Sequence, residues 1–278
     1  MYIDTHSKNQ MEQSICGILN ISSDMLYEEL AYIGSQVEND DNRFLEQLEM
    51  FIEEHYPTTP PEKVMFFHLA RRLKDAEDSI TGHNLFDLLT TDNPFSFFMK
   101  KHDVEFQIGD GHIDVINRGK LVNWDKCYKG NPSYMKWRLG YFEGRKDFCF
   151  NGFAFKDLLY KNDYARSLFR TPEFLGQMIT CLERPEIGTA YMHQSSYYCY
   201  EYHIPFDRIL FDENENYSLG AKRRHLIRCV IERLNNYANS NIRYMYDRDN
   251  PILRLGDSDT LDATFFVSKE KITVDMLG

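Results

Sequence analysis

Two residues are singled out by the chemistry their surroundings would give them. His68 closes the apolar run Lys63-Val-Met-Phe-Phe-His68-Leu-Ala, and Glu201 lies inside the aromatic run Tyr197-Tyr-Cys-Tyr-Glu201-Tyr-His. A carboxylate between Tyr200 and Tyr202 is costly to remove from water unless a partner or a cleft receives it. Period two places Cys199, Glu201 and His203 on one face of such a strand, so an outward-facing structural glutamate fits equally well. His68 fits either a hydrogen-bonded core histidine or a site residue. A further group, His102, Asp103, Glu105, Asp110, His112 and Asp114, gathers around one hairpin. Its spacing matches no ligand pattern, and no metal is expected. GxGxxG, Walker, GxSxG, HExxH and zinc-finger patterns are absent.

The elements that must position these residues are of both kinds. Residues 24–33 and 41–56 have helical spacing, the latter with Phe44, Leu45, Leu48, Phe51, Ile52 and Tyr56 on one side. Pro57 to Pro61 stops them and predicts a boundary between an acidic helical segment, 1–62, and a domain over 63–278. Residues 63–70 predict a buried strand, 71–81 a charged loop or short helix, and Asn84 the start of a helix. Asp92 and Asn93 before Pro94 predict a capped helix to about Lys101. Residues 104–108 and 112–116 predict a hairpin, and 117–150 has no clear periodicity. Helices are expected at about 155–169, at 172–182 with Thr171 as cap, and at 219–238. Residues 197–211 predict the longest strand, interrupted at Pro205. The fold class expected is α+β.

Composition narrows the setting. The 278 residues are 42% hydrophobic, with 20 Phe and 18 Tyr, enough for a large aromatic-rich core. No apolar run approaches the ~18–20 residues that span a bilayer, and no signal-peptide pattern opens the chain. The six cysteines never form CxxC, which suits reduced thiols and a cytoplasmic address. Residues 1–62 hold thirteen acids and two bases, which accounts for the whole net charge of −11. Residues 117–170 hold twelve Lys/Arg and five Asp/Glu, with Trp124, Tyr128, Tyr134, Trp137 and Tyr141 interleaved. Such a segment has the ingredients for stacking on RNA or single-stranded DNA, and equally those of an aromatic core with a basic surface.

The order Phe-Phe-His68, then Asn84-Leu-Phe-Asp-Leu-Leu, then Glu201-Tyr-His-Ile-Pro-Phe-Asp-Arg-Ile resembles the ADP-ribosyltransferase superfamily in its histidine–tyrosine–glutamate class. The resemblance implies a split β-sandwich with flanking helices, NAD as substrate and no metal. It implies His68 and Glu201 as catalytic residues, Glu201 stabilising the oxocarbenium-like transition state and His68 fixing the pose of NAD. Arg71 or Arg72 would meet the pyrophosphate, with Asn84 and Tyr141 as further cofactor contacts. Tyr128, Tyr134 and Tyr141 are the choices for the middle tyrosine. Leu-Ala-Arg follows His68 where many members have Gly-Ser or Gly-Thr. Cys199 stands where arginine-directed members carry Glu or Gln. The function implied is a bacterial toxin or anti-phage effector modifying nucleic acid or protein, with the acidic front as docking site for an antitoxin or chaperone. An RNA-cleaving nuclease using His102, His112 and Glu201, and a non-enzymatic partner in a defence complex, are the alternatives.

Overall fold

Capping side chains mark where the apolar periodicity becomes helix. In the computed structural model, which describes residues 1–37, 40–144, 146–240 and 246–278, Ser7, Ser22 and Asp40 accept backbone N–H groups at the starts of α1 (Lys8–Leu19), α2 (Ser23–Gln36) and α3 (Asp41–Glu54). Glu38 and Asn39 of the acidic front segment and Arg145 of the basic segment lie outside the described residues. β1 (Lys63–Leu73) follows, then α4 (Leu85–Thr90) and α5 (Pro94–Lys101), the latter with an Asn93–Ser96 capping box. β2 (Val104–Ile108), β3 (Ile113–Asn117) and β4 (Lys120–Leu121) form a three-stranded antiparallel sheet, with Phe106 facing Val115. The rest comprises α6 (Pro132–Arg138), β5 (Asn151–Phe153), α7 (Asp163–Arg170), α8 (Glu173–Cys181), α9 (Pro185–Gln194) and β6 (Ser195–Pro205). It ends with β7 (Leu210–Phe211), α10 (Leu219–Ala238), β8 (Ile252–Arg254) and β9 (Phe266–Lys271). The α+β class holds.

A six-stranded sheet runs in the order β7-β8-β5-β1-β6-β9, with Phe67 facing Phe153 and Phe211 facing Leu253 in antiparallel pairs. The chain forms two compact units, and β1 and β6 each contribute to both. The first unit comprises 1–67, 152–162 and 202–254. There α10 packs against α1 and α3 and buries Leu226, Ile227, Val230, Ile231 and Leu234. Glu49 and Glu53 of α3 pair with Arg228 and Arg224 of α10 at 3.0 Å each, so acids of the front segment shield basic residues of α10. Contacts therefore do not divide the chain at residue 62, because a helix from far along the chain covers the apolar faces of α1 and α3. The second unit comprises 68–151, 163–201 and 255–278, and its core gathers Leu89, Met99, Val115, Met135, Met178 and Tyr191 among others.

Several elements differ from the sequence-based expectation. Residues 155–162 carry only a 3-10 turn at Leu159–Lys161, and helix begins at Asp163. The backbone there is claimed by Asn250, whose side chain bonds both the N–H and the carbonyl of Phe155. Thr171 does not cap α8, since its hydroxyl donates to the carbonyl of Arg170. Helix α9 was not expected, and α1 was not placed within the helical front segment, although Ser7 with Gln10 is a readable capping pattern. Among the described residues no helix is long and apolar enough to cross a membrane.

Candidate functional site

β1 continues through Arg71 and Arg72 rather than ending before them, and that extension organises the site. Alternation along a strand sends neighbouring side chains to opposite faces. Leu69, Arg71 and Leu73 are buried, whereas His68, Ala70 and Arg72 are half-buried and share the other face. Arg71 is held within the fold. Its Nε donates to the Ser195 hydroxyl at 3.0 Å, its Nη2 to the Ser195 carbonyl at 2.9 Å, and its Nη1 to the carbonyl of Phe169. It ties β1 to the start of β6, so it is not the pyrophosphate contact that the resemblance implied.

His68 is fixed in one tautomer. Its Nδ1 lies 2.7 Å from the carbonyl of Asn151, an oxygen that can only accept, so Nδ1 carries the hydrogen and Nε2 keeps its lone pair. The Phe150 ring packs against the imidazole at 4.0 Å between centroids. Burial, and secondly the charge of Arg72, draw its pKa down to about 3, against the smaller opposing effect of the Asn151 bond. His68 is therefore neutral across the physiological range, an acceptor rather than an acid. Arg72 lies over the Tyr200 ring at 5.3 Å, which places Tyr200 on the same face as His68. Its Nε and Nη2 are shielded from solvent and have no hydrogen-bond partner among the described residues.

Glu201 turns the other way. It follows Tyr200 on β6, so its side chain leaves the opposite face, where Oε2 accepts the Ser268 hydroxyl at 2.9 Å. It is 5% exposed. His68 and Glu201 thus lie on adjacent strands but do not share a face. Comparisons with family models, curated proteins and solved structures find no match.

The other predicted contacts have structural partners of their own. Asn84 is 2% exposed and caps α4, its Oδ1 accepting from Asp87 N at 2.8 Å and its Nδ2 donating to Asp87 Oδ2 at 2.9 Å. The Tyr141 hydroxyl donates to Asp114 Oδ1 at 2.8 Å, and the His112 ring covers Tyr141 at 4.1 Å between centroids. Burial first, then the Asp114 bond, push the Tyr141 pKa up to about 12. His112 also meets Asp114 at 3.1 Å, so the hairpin histidine is part of a hydrogen-bonded cluster. Among the described residues the only group of three with metal-ligating spacing is Asp147, Cys149 and Asp257. Asp147 there is paired with Arg138. In the basic segment Trp124 is buried, while Tyr128 is 92% exposed.

The signal that sequence reasoning missed is the strap after β1. Residues 74–83 turn back over the His68 side of the sheet. The Tyr200 hydroxyl donates to the Glu77 carbonyl at 3.5 Å, and Lys269 Nζ donates to the same carbonyl at 2.6 Å and to Asp78 at 3.0 Å. Gly82 exchanges backbone hydrogen bonds with Leu261, and a Cβ on it would lie 2.7 Å from the Phe150 ring. Only glycine allows that approach.

Glu201→Gln is expected to lower stability by about 1–2 kcal/mol, through loss of the charged acceptor for Ser268, and to leave ligand binding at the His68 face unchanged. Chemical denaturation beside a binding titration checks both. A variant of native stability that has lost ligand binding would put Glu201 at the binding site instead.

Proposed function

We propose that this protein binds NAD against the His68–Arg72 face of β1 and uses it as an ADP-ribosyl donor. One observation carries the binding half of that reading. A histidine held as a neutral acceptor, with an aromatic ring against it, shares a strand face with a half-buried cation. A ribose hydroxyl is the matching donor for Nε2, the aromatic rings suit a nicotinamide or adenine plane, and a cation suits an anionic ligand. The reaction class rests on the resemblance alone, in which a carboxylate stabilises positive charge developing on the ribose. Glu201 points away from His68, so it is given no part in the reaction at this face. The reading takes the six-stranded and three-stranded sheets as counterparts of the two halves of a split β-sandwich.

The acceptor it suits best is single-stranded nucleic acid. Tyr128 is exposed and stands in sequence between Lys126 and Lys129, the latter paired with Glu183, and an exposed ring near a cation stacks on a base of any identity. A toxin or anti-phage effector would need a neutralising partner, and Glu46 and Glu54 of α3 remain exposed for one.

Isotope-labelled NAD incubated with protein and cell lysate tests the reaction. Nicotinamide release with label entering RNA or DNA is expected, at least tenfold weaker for His68→Phe. Because His68 titrates near 3, NAD affinity should be flat from pH 8 to pH 5. No NAD binding at millimolar concentration, with no nicotinamide release, would remove the reading.

A further inference from the structure

Several cations of the basic segment are already occupied. Lys129, Lys136 and Arg138 pair with Glu183, Asp125 and Asp147, and Lys146 Nζ donates to the carbonyls of Gly140 and Phe142. Arg170, at the end of α7, is exposed and has no ion pair among the described residues. It lines a groove of about 680 Å³ along α8 and α9, wholly within the second unit. That volume is in the range that takes a small ligand or one residue of a chain. An unpaired guanidinium at such a place offers an oxyanion parallel, charge-assisted bonds.

The remaining lining asks for donors. The hydroxyls of Thr171, Thr180 and Thr189 give their hydrogens to the carbonyls of Arg170, Gly176 and Pro185, at 2.7, 2.7 and 3.4 Å. Each of these oxygens is then left to accept. Ile179 and Met192 add an apolar wall. An occupant that satisfies all three features carries an anion, a hydroxyl or amino donor, and an apolar ring face.

Lys129 brings an aromatic ring to the rim, because Tyr128 precedes it in the chain. Gly130 holds this segment against the end of α8. A Cβ there would lie 2.9 Å from the Cys181 sulfur and 3.2 Å from its backbone nitrogen, and its φ of 69° also favours glycine. Stacking on an exposed tyrosine is indifferent to base identity. The donor that is equally indifferent is the ribose 2′-hydroxyl, which RNA carries at every nucleotide and DNA lacks.

We propose that the α8–α9 groove holds one nucleotide of a single-stranded RNA, with its phosphate on Arg170, its 2′-hydroxyl on a threonine oxygen, and the neighbouring base stacked on Tyr128. The proposal rests on the reading that single-stranded nucleic acid is the partner, and it selects RNA over DNA. NAD and the His68 face take no part in it. The Lys129–Glu183 pair at the rim is exposed and weak, so Arg170 is the charge that decides the phosphate position.

Fluorescence anisotropy of a short, labelled, mixed-sequence RNA on the full chain tests this, with single-stranded DNA of the same sequence beside it. RNA should bind about fivefold more tightly than DNA, the worth of one hydrogen bond. Arg170→Gln should weaken RNA binding about tenfold and reduce the slope of log K against log salt by about 0.7, the share of one phosphate. Tyr128→Ala should cost about tenfold on RNA and DNA alike. Thr180→Trp fills the groove from an exposed position and should weaken RNA binding as much as Arg170→Gln. All three positions are exposed, so thermal melts of the variants should match the native protein. Equal affinity for RNA and DNA, or RNA binding indifferent to Arg170→Gln and Thr180→Trp, would overturn the proposal. RNA binding with these responses but no label transferred from NAD would leave it standing and remove the transferase reading. Label entering RNA undiminished in Arg170→Gln and Thr180→Trp would do the reverse.

Discussion

Arg71→Met is expected to cost about 3 kcal/mol of stability, while Arg72→Met, one residue along, changes stability by less than about 1 kcal/mol and abolishes ligand binding. The contrast follows from strand alternation. Arg71 points to the buried face, where its donors satisfy oxygens of Phe169, Met192 and Ser195, and the Tyr191 hydroxyl donates to its carbonyl at 3.0 Å. Removing the guanidinium leaves several buried acceptors without donors, and each loses a bond that solvent cannot replace. Arg72 offers the fold its contact with Tyr200, while its shielded Nε and Nη2 find no hydrogen-bond partner among the described residues. Those contributions oppose each other, so its loss is nearly neutral for folding. Urea titrations of both variants, beside a binding titration of each, measure the split. Equal destabilisation would mean that both arginines are structural.

Arg233→Met should be still more damaging, at about 3–5 kcal/mol, because it strands buried carboxylates. Asp157 and Asp247 both contact Arg233, with the three side chains 2% exposed or less. Asn250 Nδ2 donates to Asp247 at 2.8 Å and the Tyr237 hydroxyl to Asp157 at 2.8 Å, which orients the carboxylates but supplies no charge. Burial raises the Asp247 pKa to about 6, above its unfolded value, with Arg233 the main opposing influence. Protonation of Asp247 therefore favours the folded chain, and that contribution fades as pH rises through about 6. The deficit of Arg233→Met should accordingly be larger at pH 8 than at pH 5. Thermal melts at the two pH values check the sign.

Local signals carried the fold further than they carried the site. The 219–238 helix is legible because its apolar residues keep one face over five turns and Ser218 caps it. The Asn93–Pro94 start and the 104–117 hairpin are legible for similarly local reasons. The end of β1 was not, because Arg71-Arg72 looks like solvated surface until Ser195, far along the chain, is seen to receive one of them. The relation of His68 to Glu201 depends on how two strands more than a hundred residues apart align, and a shift of one residue exchanges their faces. Chain order alone brought that pair together; the pleat separates it. Asn84 illustrates another limit, since a helix cap and a ligand contact ask for the same residue type.

The central claim is that NAD binds on the His68 side of the sheet. Calorimetric titration of NAD into native protein, His68→Phe and Glu201→Gln tests it most directly. One site per chain is expected, at least tenfold weaker in His68→Phe and unchanged in Glu201→Gln. Binding lost in Glu201→Gln but kept in His68→Phe would contradict it.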